Sequence, residues 1–267
     1  MITRLSDAFG AARAQGRAAL VGYLPAGFPT PERSVDIIRA MIDAGADVIE
    51  VGLPYSDPLM DGPVIQAAVD EALAAGTTTD VVLDVVAQVS GRGAAIVVMS
   101  YWNPIERYGV ERFAARLAEA GGVGVITPDL TPEEADAWAA ATDAHGIDRI
   151  FLVAPSSTDD RIATVVRRAS GFIYAASTMG VTGTRTSVGT GAADLVARTK
   201  RQTDLPVAVG LGVSTAAQAA ELAEYADGVI VGSAFVRCVQ EASDSAEALG
   251  AIAALTAALA EGVRGRS

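Results

Sequence analysis

The chain has 267 residues, 51% of them hydrophobic, and its net charge of −12 disfavours nucleic-acid or anionic-membrane binding, since both need clustered positive charge. No apolar run reaches the roughly 18 residues of a membrane span, and the first residues lack the apolar segment of a signal peptide. A single cysteine, Cys238, excludes an internal disulfide, so we expect a soluble cytoplasmic protein.

Eight short apolar runs predict β-strands along the chain. Most are continuously apolar rather than alternating, which is typical of parallel strands that are covered on both faces. The predicted strands lie at residues 18–23, 47–51, 95–99, 123–126, 150–153, 172–177, 207–209 and 228–231.

Helical stretches separate these strands, and several begin with recognisable capping residues. Thr30 is a predicted N-cap, with Pro31 at the first helical position. Thr131 and Thr215 are each followed three residues later by Glu or Gln, the pattern of a capping box. Residues 64–90 predict two helices that are broken at a glycine, Gly76.

The order of elements predicts the fold. About 15 residues before the first strand indicate an extra N-terminal helix, and residues 246–262 indicate a closing helix. No low-complexity linker divides residues 1–267, so we expect one domain, an α/β fold of the (β/α)₈ TIM-barrel type. A doubly wound open sheet is the alternative, but the first strand–helix turn lacks the G-x-G-x-x-G pattern such folds use for dinucleotides.

Histidine, lysine and cysteine are nearly absent, and this narrows the chemistry that the chain can perform. The chain has one histidine, His145, and one lysine, Lys200, each near a predicted helix end where a solvated surface position is expected. A metal site built from several histidines is impossible, a Ser/His/Asp triad would need His145, and Schiff-base chemistry would need Lys200. Acid–base chemistry therefore falls to Asp, Glu or Tyr.

Two carboxylates stand out near the second predicted strand. Glu50 interrupts an apolar run that otherwise reads as a buried strand, and Asp61 follows in a loop rich in Pro and Gly. A buried ionised group is costly, and the period-two alternation of a strand places Glu50 on the same side as Val48. Glu50 could be a structural carboxylate and Asp61 a turn residue, but together they form a candidate acid–base pair at the strand ends.

Glycine-rich loops follow the sixth, seventh and eighth predicted strands, at residues 179–184, 210–214 and 231–234. Barrels often bind phosphate with the loops after strands seven and eight and with the start of a short helix, so this set predicts a phosphate site. The loop at residues 178–191 is long enough to be a lid, although a disordered connection is the alternative.

These motifs resemble those of the tryptophan synthase α-subunit family, over nearly the whole chain. The run EVGLPYSDPLMDGP at residues 50–63 is similar to the catalytic signature of the family, and STMGVTG at residues 177–183 to its mobile loop. GLGVS at residues 210–214 and VGSAF at residues 231–235 resemble its phosphate-binding segments. The segments YWNPIERYG and FLVAPSST are similar to actinobacterial members.

The resemblance implies a lyase that cleaves indole-3-glycerol phosphate to indole and glyceraldehyde 3-phosphate in tryptophan biosynthesis, with neither a metal nor a Schiff base. By position, Glu50 would be the general acid–base and Asp61 would hold the indole N–H. Tyr174 would line the site near Glu50. The implied phosphate residues are Gly183, Gly212, Gly232 and Ser233, and the implied walls of the indole pocket are Tyr23, Ile65 and Met99.

The resemblance also implies a partner. Family members pair with a β subunit that carries pyridoxal phosphate and receives the indole in an α₂β₂ complex, whereas the α chain needs no cofactor. Residues 54–57 and the segment near Asn103 match surfaces that face this partner. The chain departs from familiar members at Tyr23 and Leu211, where Phe is usual, and at residues 178–179 of the mobile loop.

Two other functions are compatible with parts of the sequence. One is another phosphate-binding barrel of amino-acid biosynthesis, such as an isomerase, although the aspartates expected at the ends of strands one and five are absent. The other is a non-catalytic partner that only activates a β subunit, which would have little need of a buried acid at position 50.

Overall fold

The structure is a computed structural model that describes residues 1–176, 190–210 and 212–265. Its strands form one parallel sheet in the order β5-β4-β3-β2-β1-β9-β8-β7-β6. The strands are β1 (Ala19–Pro25), β2 (Val48–Gly52), β3 (Ala95–Met99), β4 (Gly124–Ile126), β5 (Asp148–Ile150), β6 (Leu152–Val153), β7 (Ile173–Ala176), β8 (Val207–Gly210) and β9 (Gly228–Val231).

The sheet closes into the predicted TIM barrel. The first and last strands, β1 and β9, pair directly, and β5 and β6 are separated only by Phe151. β5 pairs with β4 whereas β6 pairs with β7, so the chain itself joins the two ends of the sheet. The eight predicted strands are therefore all present, and the fifth is divided in two at Phe151.

Helices surround the barrel between successive strands. They are α1 (Leu5–Ala14), α2 (Pro31–Asp43), α3 (Pro63–Ala74), α4 (Thr79–Val89), α5 (Trp102–Tyr108), α6 (Val110–Glu119), α7 (Asp136–His145), α8 (Asp159–Arg168), α9 (Thr190–Lys200), α10 (Ala216–Ala223), α11 (Ser233–Glu241) and α12 (Ser245–Gly262). In the described part of the chain, no single helix is long and apolar enough to cross a membrane. Helices α3 and α4 taken together have the length and apolar composition of a membrane span, but they are bent by 106° relative to each other.

Two of the predicted caps are confirmed and one is wrong. The hydroxyls of Thr30 and Thr215 accept hydrogen bonds from backbone N–H groups at the starts of α2 and α10. Thr131 makes no such cap, because its hydroxyl bonds the Glu134 carboxylate at 3.2 Å. Residues Pro132–Glu134 form a 3₁₀ turn instead, and the α-helix begins at Asp136.

The two faces of each strand pack into different cores. Val48 belongs to a cluster inside the barrel, while Ile49 and Val51 belong to the larger cluster between strands and helices. The N-terminal helix α1, which was predicted, contributes Leu5 and Phe9 to the inner cluster. Among the described residues, these side chains fill the end of the barrel at which the strands begin, and the pocket opens at the opposite end.

Candidate active site

The carboxyl ends of the strands surround an open pocket. Nine of the ten site residues predicted from the sequence line it: Tyr23, Glu50, Asp61, Ile65, Met99, Tyr174, Gly212, Gly232 and Ser233. The tenth, Gly183, lies outside the described residues, as does most of the predicted lid loop.

Glu50 lies on the inner face of β2 at the bottom of this pocket. Only 1% of the residue is exposed, and its Oε2 atom has no hydrogen-bond partner among the described residues. Burial, and secondarily the negative charge of Asp61, raises the pKa of Glu50 from 4.5 to about 8. The carboxyl therefore holds a proton at neutral pH, as a general acid must before it can donate one.

Asp61 approaches the same pocket from the loop between β2 and α3. Its Oδ1 accepts a hydrogen bond of 3.0 Å from the Tyr101 hydroxyl, which itself accepts one from the backbone N–H of Met60. The Gln66 side chain donates to the Asp61 carbonyl at 2.8 Å and fixes the loop. Burial raises the pKa of Asp61, and the Tyr101 hydrogen bond opposes that shift, so Asp61 has the support for a negative charge that Glu50 lacks.

Two tyrosines line the pocket near Glu50, one on the neighbouring strand β1 and one on β7. Tyr23 pairs with Glu50 in the β1–β2 register, and Tyr174 projects from β7 with its hydroxyl packed against Gly210 on β8. Burial, followed by the charge of nearby carboxylates, raises the pKa of both phenols, so both stay neutral. They give the pocket hydroxyl groups but no charge.

The other end of the pocket is built from glycine and a helix start. Gly212 has a φ of +60°, a conformation that favours glycine, and Gly232 precedes the first residue of α11, the buried Ser233. The first N–H groups of a helix have no carbonyl partner within it and carry partial positive charge. This end can therefore hold an anion such as phosphate without a lysine or arginine.

Several lining residues were not found from the sequence. They are Met60, Ile126, Leu152, Ala176 and Ile230. All but Met60 lie within or next to predicted strands. Their position near the carboxyl end of a strand was the feature of the sequence that could have identified them as pocket residues. Gly210, which begins one of the predicted phosphate loops, also lines the pocket. Tyr101 gave no local signal, because its partner Asp61 is 40 residues away in sequence.

The residues that rival chemistries require lie elsewhere. His145 is paired with Glu111 at 2.8 Å, and Lys200 contacts Asp227 at 3.0 Å, both away from the pocket. Among the described residues, no three His, Cys, Asp or Glu side chains are grouped to hold a metal ion. The pocket thus offers two carboxyls, phenols and backbone N–H groups.

Comparison with known proteins agrees with this geometry. Residues 9–263 match the family model described as tryptophan synthase alpha chain. The chain is 61% identical to the tryptophan synthase alpha chain of Acidothermus cellulolyticus over 98% of both chains, and 57% identical to that of Streptomyces coelicolor over 98% of this chain and 97% of the other.

Solved structures give the same result. A structure of Mycobacterium tuberculosis tryptophan synthase superposes with a TM-score of 0.92 at 53% identity, covering 99% of each chain. The tryptophan synthase subunit alpha of Legionella pneumophila superposes with a TM-score of 0.88 at 34% identity, covering 98% of this chain and 99% of the other. The chain therefore belongs to the tryptophan synthase alpha chain family.

Proposed function

We propose that the chain cleaves indole-3-glycerol phosphate to indole and glyceraldehyde 3-phosphate, as the alpha reaction of tryptophan synthase. The observation that supports this most directly is the pairing of Glu50 and Asp61 in one apolar pocket. The pocket has an anion-binding helix start at its other end. A substrate with an aromatic ring at one end and a phosphate at the other matches this arrangement, with the ring near the carboxyls and the phosphate at the helix start.

The two carboxyls have different roles in this proposal. Protonated Glu50 gives its proton to C3 of the indole ring and then, as a carboxylate, takes the proton of the adjacent glycerol hydroxyl. The O–H electrons form the new aldehyde carbonyl, and the electrons of the breaking carbon–carbon bond restore the aromatic ring. The proton balance of the cleavage is therefore zero, and one carboxyl can perform both transfers.

Asp61 holds the indole N–H and stabilises the positive charge that develops on the ring after C3 is protonated. Its hydrogen bond from Tyr101 suits this role, since the bond favours the charged form of the carboxyl. Ile65, Met99 and Tyr23 form the apolar walls around the ring, and Tyr174 lies near Glu50.

Phosphate binding is assigned to the glycine-rich end. Gly212, Gly232 and Ser233 would hold the phosphate through backbone N–H groups and a hydroxyl. Gly183 completes this set in the proposal, on the strength of the family motif alone. No metal or cofactor in this chain takes part in these steps.

We further propose that the chain acts as a single domain in a cytoplasmic α₂β₂ complex, in which a β subunit with pyridoxal phosphate receives the indole. Support comes from the loop that precedes Asp61. Leu59 is 70% exposed in that loop, close to the pocket mouth, as expected of a side chain that a partner covers. Residues 54–57 and Asn103 would belong to the same contact surface.

The test is an assay of indole release from indole-3-glycerol phosphate, with and without a β subunit. Glu50→Gln should abolish release, because glutamine cannot transfer the proton. Asp61→Asn should lower turnover sharply with a modest loss of binding. A chain that only activates the β subunit would keep its full effect in the Glu50→Gln variant, and wild-type release by that variant would refute the assignment.

A further inference from the structure

Tyr23 lies across the top of the inner face of β2. Its ring begins beside Gly232, where an added Cβ would be 3.3 Å from Cδ1, and ends over Gly52, where an added Cβ would be 2.5 Å from the hydroxyl oxygen. The phenol therefore occupies the space that a side chain at position 52 would need. Only 6% of Tyr23 is exposed, so the ring is itself held in place.

Gly52 is the next inward-facing position after Glu50 on the same strand. Residues two apart on a strand share a face and are separated by about 6.6 Å along it. A ring packed over Gly52 thus lies immediately above the Glu50 carboxyl, between it and the pocket mouth. On this side, a side chain from the neighbouring strand is placed to limit the exposure of Glu50.

We propose that Tyr23 is a positioning residue that covers Glu50 from solvent by packing on Gly52, and thereby keeps the carboxyl protonated when turnover begins. This inference rests on the proposed function, because it matters only if Glu50 first acts as an acid. The ring, rather than the hydroxyl, carries the effect. Among the described residues, Glu50 acts on the Tyr23 phenol through its charge and not through a hydrogen bond.

The titratable groups that face Glu50 agree with this role. Asp61 faces it from the loop after β2, Tyr23 from β1 and Tyr174 from β7. No lysine, arginine or histidine is among the described residues that line the pocket. Burial is the largest cause of the raised pKa of Glu50 and the Asp61 charge is the lesser one, so removing the cover should lower that pKa.

The direct test is the titration of the Glu50 side-chain carboxyl by ¹³C NMR in the protein alone, with Glu50→Gln identifying its resonance. Tyr23→Ala removes the ring, and we expect the pKa of Glu50 to fall from about 8 by roughly one unit or more as water reaches the carboxyl. Tyr23→Phe is the matched control. It keeps the ring without the hydroxyl, and the titration should stay within a few tenths of a unit of wild type.

Gly52→Ala provides a second route that retains the tyrosine. The backbone at Gly52 is outside the left-handed region, so alanine fits the chain, but its methyl group forces the phenol away. The pKa of Glu50 should fall here too, and this variant alone decides the matter if Tyr23→Ala does not fold. In turnover, the decline of kcat/KM at high pH should move to lower pH in both variants.

Two results would overturn the inference: an unchanged titration in both Tyr23→Ala and Gly52→Ala, or an equal shift in Tyr23→Phe and Tyr23→Ala, which would assign the effect to the hydroxyl. The titration needs no substrate, so its outcome is separate from the proposed reaction. If Glu50→Gln still releases indole, the function fails. If Glu50→Gln is inactive and the titrations do not move, only the role of Tyr23 fails.

Discussion

Glu50 should destabilise the folded protein increasingly as pH rises, and Glu50→Gln should remove that dependence. The unfolded chain loses the Glu50 proton near 4.5, whereas the folded protein keeps it until about pH 8. Between these values unfolding releases a proton, so rising pH favours the unfolded state. The stabilisation linked to this group is complete below pH 4.5 and lost by pH 8.

The magnitude follows from the shift. At about 1.36 kcal/mol per pKa unit, wild type should lose roughly 3 to 4 kcal/mol relative to Glu50→Gln between pH 5 and pH 8. The new amide is also buried, and leaving it without partners costs about 1–3 kcal/mol, but this cost is the same at every pH. The quantity to measure is therefore how the difference in unfolding free energy between wild type and Glu50→Gln changes with pH.

Urea denaturation of both proteins at several pH values from 5 to 8.5 gives that quantity directly. Glu71→Gln, which replaces an exposed carboxylate on α3, is the matched control and should follow wild type at every pH. If the curves for wild type and Glu50→Gln stay parallel across the range, Glu50 is ionised in the folded protein and the reasoning from burial is wrong.

Two further changes test the supports of the site and of the barrel. Tyr101→Phe removes the hydroxyl that bonds Asp61 and should lower kcat/KM for indole release by about tenfold, the effect of losing one hydrogen bond to a charged group. Tyr108→Phe, which removes an exposed hydroxyl bonded to Asp80, should have no effect. Phe9→Ala opens a cavity at the closed end of the barrel and should cost about 3 kcal/mol of stability in urea denaturation, with unchanged kinetics of the folded protein. Altered kinetics in the Phe9→Ala variant would mean that packing at this end of the barrel affects the pocket.

Much of the site was readable from local patterns. The period of two along a strand placed Glu50 on the side of Val48, which lies in the inner cluster, and the pocket glycines Gly212 and Gly232 follow from their position after the last strands. The barrel followed from eight apolar runs of similar length. Each of these inferences needs only residues that are close together in sequence.

The features that escaped prediction depend on distant contacts or on competing local structures. Tyr101 supports Asp61 across 40 residues, which no local pattern records. The division of the fifth strand at Phe151 depends on which neighbour each half pairs with. Thr131 has the sequence of a capping box, but the same residues satisfy a 3₁₀ turn that delays the helix to Asp136.

Leu5 and Phe9 close one end of the barrel, and this affects how small molecules reach and leave the pocket. Because the described residues close that end, the substrate of the proposed reaction would enter, and its products would leave, through the opening at the carboxyl ends of the strands. A subunit that receives the indole would therefore dock near that opening. The N-terminal helix lies at the opposite end of the barrel from the pocket, yet it limits the route by which small molecules reach the pocket.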